Sequence, residues 1–397
     1  MIRALQEQKT RSKMKIELKG MAWDHPRGYE PLRALSKSFT QSHPEVSIKW
    51  DVRSLKEFGD MPIEDLIEEY DLITIDHPYM GQAHKNQLLL DLKGIISEDE
   101  LAVFENAYVD HCYDSYQYKG HLYALPIDAA ALVAAKRDDQ LSKLRLQVPT
   151  TLEELKSFYK KVPNKLSVAW ALCPTDIWCA FLTLCAQIGG RGFINENGID
   201  PKIGAKAIDE LKYHLEFIHP ESINWNPIQI LDEMAANDEI IYAPYLFGYT
   251  NYSRMGYAKN IVTFIDSPAN PNTEVSTILG GVGLAVSAHC KYKKLAVELL
   301  KYIANIENQA GEYVRHQGQP AGLKAWKSEA NNALCNDFFT NTMKTMKNAY
   351  IRPQYPGWNE FQEQGADLIH ACVEKNTGAD TLIKNLNEHY KTIVSYE

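Results

Sequence analysis

Asp71-Leu72-Ile73-Thr74-Ile75-Asp76-His77-Pro78 is the stretch on which the fold turns. A short apolar run stands between two acids and meets a His-Pro step, the pattern of a strand buried on both faces of a parallel sheet and ending in a loop. Upstream, Lys15 to Ala22 alternates partly and runs into Trp23-Asp24-His25-Pro26-Arg27-Gly28, a loop-like stretch before a helical pattern. Leu32, Leu35 and Phe39 then recur at helical spacing from about Tyr29 to Ser42, and His43-Pro44 ends the helix. Val46 to Val52 alternates like a second strand, and a helix is expected around Ile63 to Glu69. Strands alternating with helices build a doubly wound sheet whose ligands sit beyond the carboxyl ends of the strands. That places the two Asp-His-Pro motifs, Asp24 to Pro26 and Asp76 to Pro78, on one rim.

Composition narrows the class. At 397 residues the chain exceeds one hydrophobic core, so two domains are expected. Hydrophobic residues at 45% and charged residues at 23% are those of an ordinary globular protein. A net charge of -9, with no basic run after the first fifteen residues, argues against nucleic acid as a partner. No window reaches the roughly 18 apolar residues of a membrane span, so the chain is not membrane-embedded. Met1 to Lys19 has no apolar h-region, so the chain as written is expected in the cytoplasm, or outside it if a signal was removed. The seven cysteines are scattered without a CxxC pair and read as reduced thiols.

Downstream, Tyr118 to Pro126 is a turn leading into a strand, and Ala129 to Ala135 continues the apolar character. A proline in mid-run argues against a central strand and for an edge or crossing segment. Thr150-Thr151-Leu152-Glu153-Glu154 opens a helix with a threonine cap and a returning glutamate. Ala205 to Phe217 reads as a helix, and Glu239 to Tyr242 as a strand. Leu279 to Ser287 is a strand whose glycines do not form GxGxxG, so no dinucleotide loop and no cofactor is expected.

The order of these segments resembles the solute-binding proteins of bacterial ABC importers, in the sugar-binding cluster that includes maltose-binding protein. The stretches that carry it are the opening strand with Arg27-Gly28-Tyr29, Asp71 to Leu92, Tyr118 to Pro126, Pro149 to Leu155, Gly280 to Ser287 and Gln319-Pro320-Ala321. The resemblance implies an α/β, two-lobed periplasmic-binding-protein-like (type II) fold, each lobe a mostly parallel sheet flanked by helices, with the ligand cleft between lobes. Residues 1–13 would be an extension, 14–127 plus 284–321 the first lobe, and 128–283 plus 322–397 the second. It further implies a monomer that closes on a small sugar, polyol or organic acid for ABC-type transport, with permease subunits as partners.

Carried over by position, the ligand wall would hold Asp24 and Arg27 on the first loop, Asp76 and His77 on the second, Asp128 at the crossing, and the aromatics Tyr245 and Trp358. Asp176 and Trp178 join them. Trp23, His25 and Tyr249 are added as neighbours and as aromatic candidates. The Asp-His pairs read as ligand contacts first, as strand terminators second and as metal ligands third. If His25 and His77 touch ligand, affinity should vary with pH near neutrality. Arg27, Arg315 and Arg352 are each able to clamp an anion, with a solvated role favoured for Arg315. The alternative is a cytosolic enzyme or ligand sensor on the same scaffold, using cleft Asp, His or Cys residues; Cys173 and Cys179 flank Asp176.

Overall fold

The computed structural model describes residues 15–394, so the basic extension expected at 1–13 lies outside the described residues. Strand β1 (Ile16–Trp23) pairs in parallel with β2 (Val46–Arg53) on one side and β3 (Leu72–Ile75) on the other. Between them runs helix α1 (Pro26–Ser42), which buries Leu32, Leu35 and Phe39. It begins three residues before the expected Tyr29. Pro26 occupies the first helical position, where its missing N–H costs nothing, and the His25 ring accepts the Arg27 N–H. The helix expected over Ile63 to Glu69 shrinks to Glu64–Ile67, and a short helix α2 (Leu55–Asp60), closed by a Ser54–Glu57 capping box, precedes it.

The middle of the molecule is organised by one long strand, β4 (Ala124–Lys136). Sequence reading divides it at Pro126 and makes it an edge or crossing segment; it is one continuous strand, central in the sheet, that runs from one set of partners to another. The proline is tolerated because Ile127 bulges: Asp128 faces Val282 and Pro126 faces Gly283, with no partner for the residue between. The early part of β4 pairs antiparallel with β8 (Leu279–Val286), and its late part with β6 (Ile240–Phe247) and β7 (Thr263–Ile265). β6 in turn pairs in parallel with β5 (Ser167–Val168), giving the order β2-β1-β3-β8-β4-β6-β5. Gly281 of β8, paired with Ala129 just beyond the bulge, has φ +113°, and a Cβ there would come within 2.5 Å of the Asp128 carbonyl, so only glycine fits.

Period-two alternation divides the core. Along β4, Val133 and Ala135 join the hydrophobic cluster built on β1, β3 and β8, while Leu132 and Ala134 join a second cluster. That second cluster is roofed by helices α3 (Pro174–Gly189), α4 (Pro201–Leu215), α6 (Trp358–Glu374) and α7 (Ala379–Ile393). Helix α5 (Pro227–Ala236) packs on β6 from the other side. Gln319 stitches a further chain segment to the middle: its carbonyl accepts the Ala129 N–H at 3.1 Å, its amide donates to the Ala129 carbonyl at 2.9 Å, and its Oε1 accepts the Thr250 N–H at 3.0 Å.

Candidate functional site

A cleft of about 390 Å³ opens where these elements meet, within the ~300–1,000 Å³ range of small-molecule sites. Its first wall comes from strand ends: Trp23 closes β1, Phe58 and Lys56 sit on α2 just after β2, and Asp76 follows β3. The Trp23 and Phe58 rings lie 5.5 Å apart. Gly28 allows α1 to pass close, since a Cβ there would stand 2.5 Å from the Trp23 ring. The opposite wall comes from helix ends and one helix face. Cys173 to Asp176 open α3, Asn226 and Pro227 open α5, and Gln362, Glu363, Ala366 and Asp367 form one face of α6. Phe247 and Tyr249, at and beyond the end of β6, complete it.

The floor holds two buried ion pairs. Arg27 donates through Nε and Nη2 to the two oxygens of Asp128, at 2.8 and 2.5 Å, and through Nη1 to the Gly248 carbonyl at 2.7 Å. Its guanidinium lies 4.6 Å over the Tyr249 ring, which meets the His25 ring edge-on. Arg352 donates through Nη2 to Asp76 at 2.6 Å, its backbone N–H reaches His77 Nε2 at 3.2 Å, and Asp76 also accepts the His77 N–H at 2.8 Å. The two carboxyls differ. Burial would raise Asp76, but the Arg352 charge and the His77 hydrogen bond outweigh it and hold the group at about 2. At Asp128 burial prevails over Arg27, and the carboxyl stands above its ordinary range.

Six of the residues expected from sequence lie on the cleft wall: Trp23, Arg27, Asp76, Asp128, Asp176 and Tyr249. Six do not. Asp24 is exposed outside the cleft, because its backbone N–H is tied to Arg53 and its side chain turns to solvent. His25 and His77 are buried behind the wall as a helix cap and a backbone acceptor. Burial lowers the His25 pKa to about 3 and lowers that of His77, and neither ring lines the cleft, so the ligand contact on which the expected pH dependence rested is not made. Trp178 and Trp358 pack together in the second core, ring centroids 6.0 Å apart. Tyr245 is also buried there, its hydroxyl donating to the Pro268 carbonyl at 2.6 Å. The resemblance puts Tyr245 and Trp358, with Trp178, where relatives stack a ring on ligand, but here all three are buried as core.

Sequence reading missed Phe58, Asn226, Gln229, Gln362, Glu363 and Asp367. Asn226-Pro227-Ile228-Gln229 does carry a legible signal, a helix start with reciprocal capping: Asn226 Oδ1 accepts the Gln229 N–H at 3.0 Å and Gln229 Oε1 accepts the Asn226 N–H at 2.9 Å. The polar face of α6 carries none, since an amphipathic helix turns such residues to solvent by default. Arg352, weighed as an anion clamp, does line the cleft, but its charge is taken by Asp76. Arg315 does not line it. The Cys173 thiol donates to Asp176 at 3.1 Å, and burial followed by that carboxylate pushes its pKa up, the opposite of an activated nucleophile. Among the described residues no group of three His, Cys, Asp or Glu side chains is placed to hold a metal, and no helix is long and apolar enough to cross a membrane.

The fold is that of known two-lobed binding proteins. The maltose-bound MalE3 of T. maritima superimposes with a TM-score of 0.82 at 17% identity, over 96% of this chain and 100% of that one. An ABC transporter solute-binding protein from Agrobacterium radiobacter K84, in complex with ribitol, gives 0.81 at 20% identity over 95% and 98%. One from Thermotoga lettingae TMO, bound with alpha-D-tagatose, gives 0.78 at 15% over 96% and 100%. Residues 66–324, well over half the sequence, match the family of bacterial extracellular solute-binding proteins. The chain belongs to that family, whose members bind a substrate rather than transform it.

Proposed function

We propose that this solute-binding protein captures one small polyhydroxylated solute, a sugar or polyol, for ABC-type transport. The observation that carries the reading is the meeting of aromatic faces with amides and carboxylates in one cleft: Trp23 and Phe58 on the first wall, and Tyr249 beside Asn226, Gln229, Glu363 and Asp367 on the other. A sugar ring offers apolar C–H faces to the first set and hydroxyl edges to the second. The maltose, ribitol and tagatose held by proteins of the same fold support the class. Contacts to the ligand come from Trp23, Asp176 and Tyr249, above the floor of Arg27, Asp76 and Asp128.

Capture proceeds by closure of two lobes, 14–127 plus 284–321 and 128–283 plus 322–397, about the crossings of β4, β8 and the Gln319 segment. The protein works as a monomer that delivers its ligand to permease subunits, without chemistry on it. A thermal-shift screen of sugars, polyols and small acids tests the ligand class, and turnover of any hit tests the absence of chemistry. Trp23 supplies a second readout, because a bound ligand should change its fluorescence. A screen in which no sugar or polyol raises the melting temperature overturns the reading.

A further inference from the structure

We propose that Asp76 and Asp128 set the charge selectivity of the cleft: by occupying both guanidinium groups of its floor, they make it a site for uncharged polyhydroxylated ligands and turn away acid- and phosphate-bearing analogues. The inference rests on the carbohydrate or polyol reading above and names the subclass.

An arginine in a solute cleft ordinarily anchors a carboxylate or phosphate through two parallel N–H donors. At Arg27 that fork is already closed, and at Arg352 one arm of it is taken. Arg27 presents Nε and Nη2 to Asp128, its Nη1 to Gly248, and its face to Tyr249. Arg352 gives Nη2 to Asp76, its Nη1 faces Gln362 Oε1 at 3.4 Å, and its buried Nε has no hydrogen-bond partner among the described residues, so its charge is paired although one donor is left over. Both pairs are buried, with side-chain exposures of 4% and 0% for Arg27 and Asp128, and 4% and 15% for Arg352 and Asp76. A ligand anion would have to displace a protein carboxylate already in place or crowd beside it, and in so dry a floor like charges repel strongly.

The remaining charges point the same way. Lys56 is the other cation lining the cleft, on exposed α2, while Asp176, Glu363 and Asp367 line the far wall. An anion therefore meets a field of its own sign. A neutral polyol finds what it needs. Reciprocal capping takes up the carbonyl oxygens of Asn226 and Gln229 and leaves their NH2 groups as donors for hydroxyl oxygens. Glu363 and Asp367, one helical turn apart on α6, accept hydroxyl protons.

The test is calorimetric titration of the full chain with pairs that differ in charge: glucose and glucuronate, sorbitol and gluconate, glycerol and glycerol 3-phosphate. The neutral member of at least one pair should bind, with its charged partner at least about tenfold weaker. In Asp76→Asn, which releases Arg352, the charged partner should gain at least about tenfold relative to the neutral one, and the gain should vanish in Asp76→Asn/Arg352→Gln. Asp128→Asn makes the same test at Arg27 should the first variant fail to fold. A charged partner that binds the wild-type protein as tightly as its neutral counterpart overturns the proposal, as does a folded variant with an unchanged ratio, and both leave the carbohydrate reading standing. Silence across all six compounds overturns the proposal, whereas the carbohydrate reading falls only if the wider screen of sugars and polyols is silent as well.

Discussion

The floor of the cleft and its far rim use the same kinds of side chain in opposite ways. On the floor, Arg27, Asp128, Arg352 and Asp76 are buried and partnered with one another. On the rim, Glu363 and Asp367 stand exposed on α6 and enter no ion pair among the described residues. Charges on the floor are fixed by folding and shape the field a ligand meets. Rim charges cost folding little and remain available to the ligand. Burial is the difference, because a desolvated charge must be paired before a ligand arrives while a hydrated one need not be.

The comparison breaks most visibly if one floor partner is removed. Asp76→Asn leaves the Arg352 guanidinium buried without its counter-ion and should lower unfolding free energy by about 3–5 kcal/mol, measured by urea titration. Replacing Asp76 and Arg352 together by apolar residues should recover much of that loss. Next comes Tyr249→Ala, which deletes the ring lying against Arg27 and should weaken a sugar or polyol hit about tenfold to a hundredfold in calorimetry, roughly 1.4–2.8 kcal/mol.

Acid distinguishes the two floor pairs from each other. Asp76 is held at about 2, below its ordinary 3.8, so its contribution to stability is present above that ordinary range and disappears as pH falls through it toward 2. The amount at stake is about 2 kcal/mol. Asp128 is shifted the other way, so its contribution is complete at low pH and declines as pH rises through its raised value. A stability profile from pH 5 to pH 2 should therefore flatten in Asp76→Asn and steepen in Asp128→Asn, which removes the opposing contribution. Smaller still is the expected effect on the rim. Glu363→Gln should leave stability within about 0.5 kcal/mol while changing ligand affinity a few-fold. Between pH 6 and 8 affinity should stay flat, since His25 is neutral there and His77 is buried with its pKa lowered. A step in that range would mean that one of these rings meets the ligand after all.

How legible this was in the sequence follows the same division. Asp76 could be placed on the rim because an apolar run bounded by turn signals announces a strand end, whereas Asp128 came only from the resemblance, by position, and Arg27 from the resemblance together with its place in the first rim loop. Glu363 and Asp367 were not, because the polar face of an amphipathic helix looks the same whether it faces water or a cleft. Only the packing of α6 against α3 decides that. The aromatics failed in the reverse sense. Trp178, Trp358 and Tyr245 have the chemistry of stacking platforms, yet local pattern says nothing about which large ring is needed to fill the second core. Pro126 misled for a third reason: the rule against proline in central strands holds for a regular ladder, and the bulge at Ile127 makes this ladder irregular.

Strand β4 has a consequence for how the molecule comes apart. Its amides and carbonyls are engaged first by β8 and then by β6 and β7, and its alternating side chains enter both hydrophobic clusters. Neither half of the sheet can melt without exposing a flank of this strand. Hydrogen exchange should find the Ala129 to Ala135 amides among the slowest in the chain, and calorimetry should record one cooperative unfolding transition where a two-lobed outline suggests two.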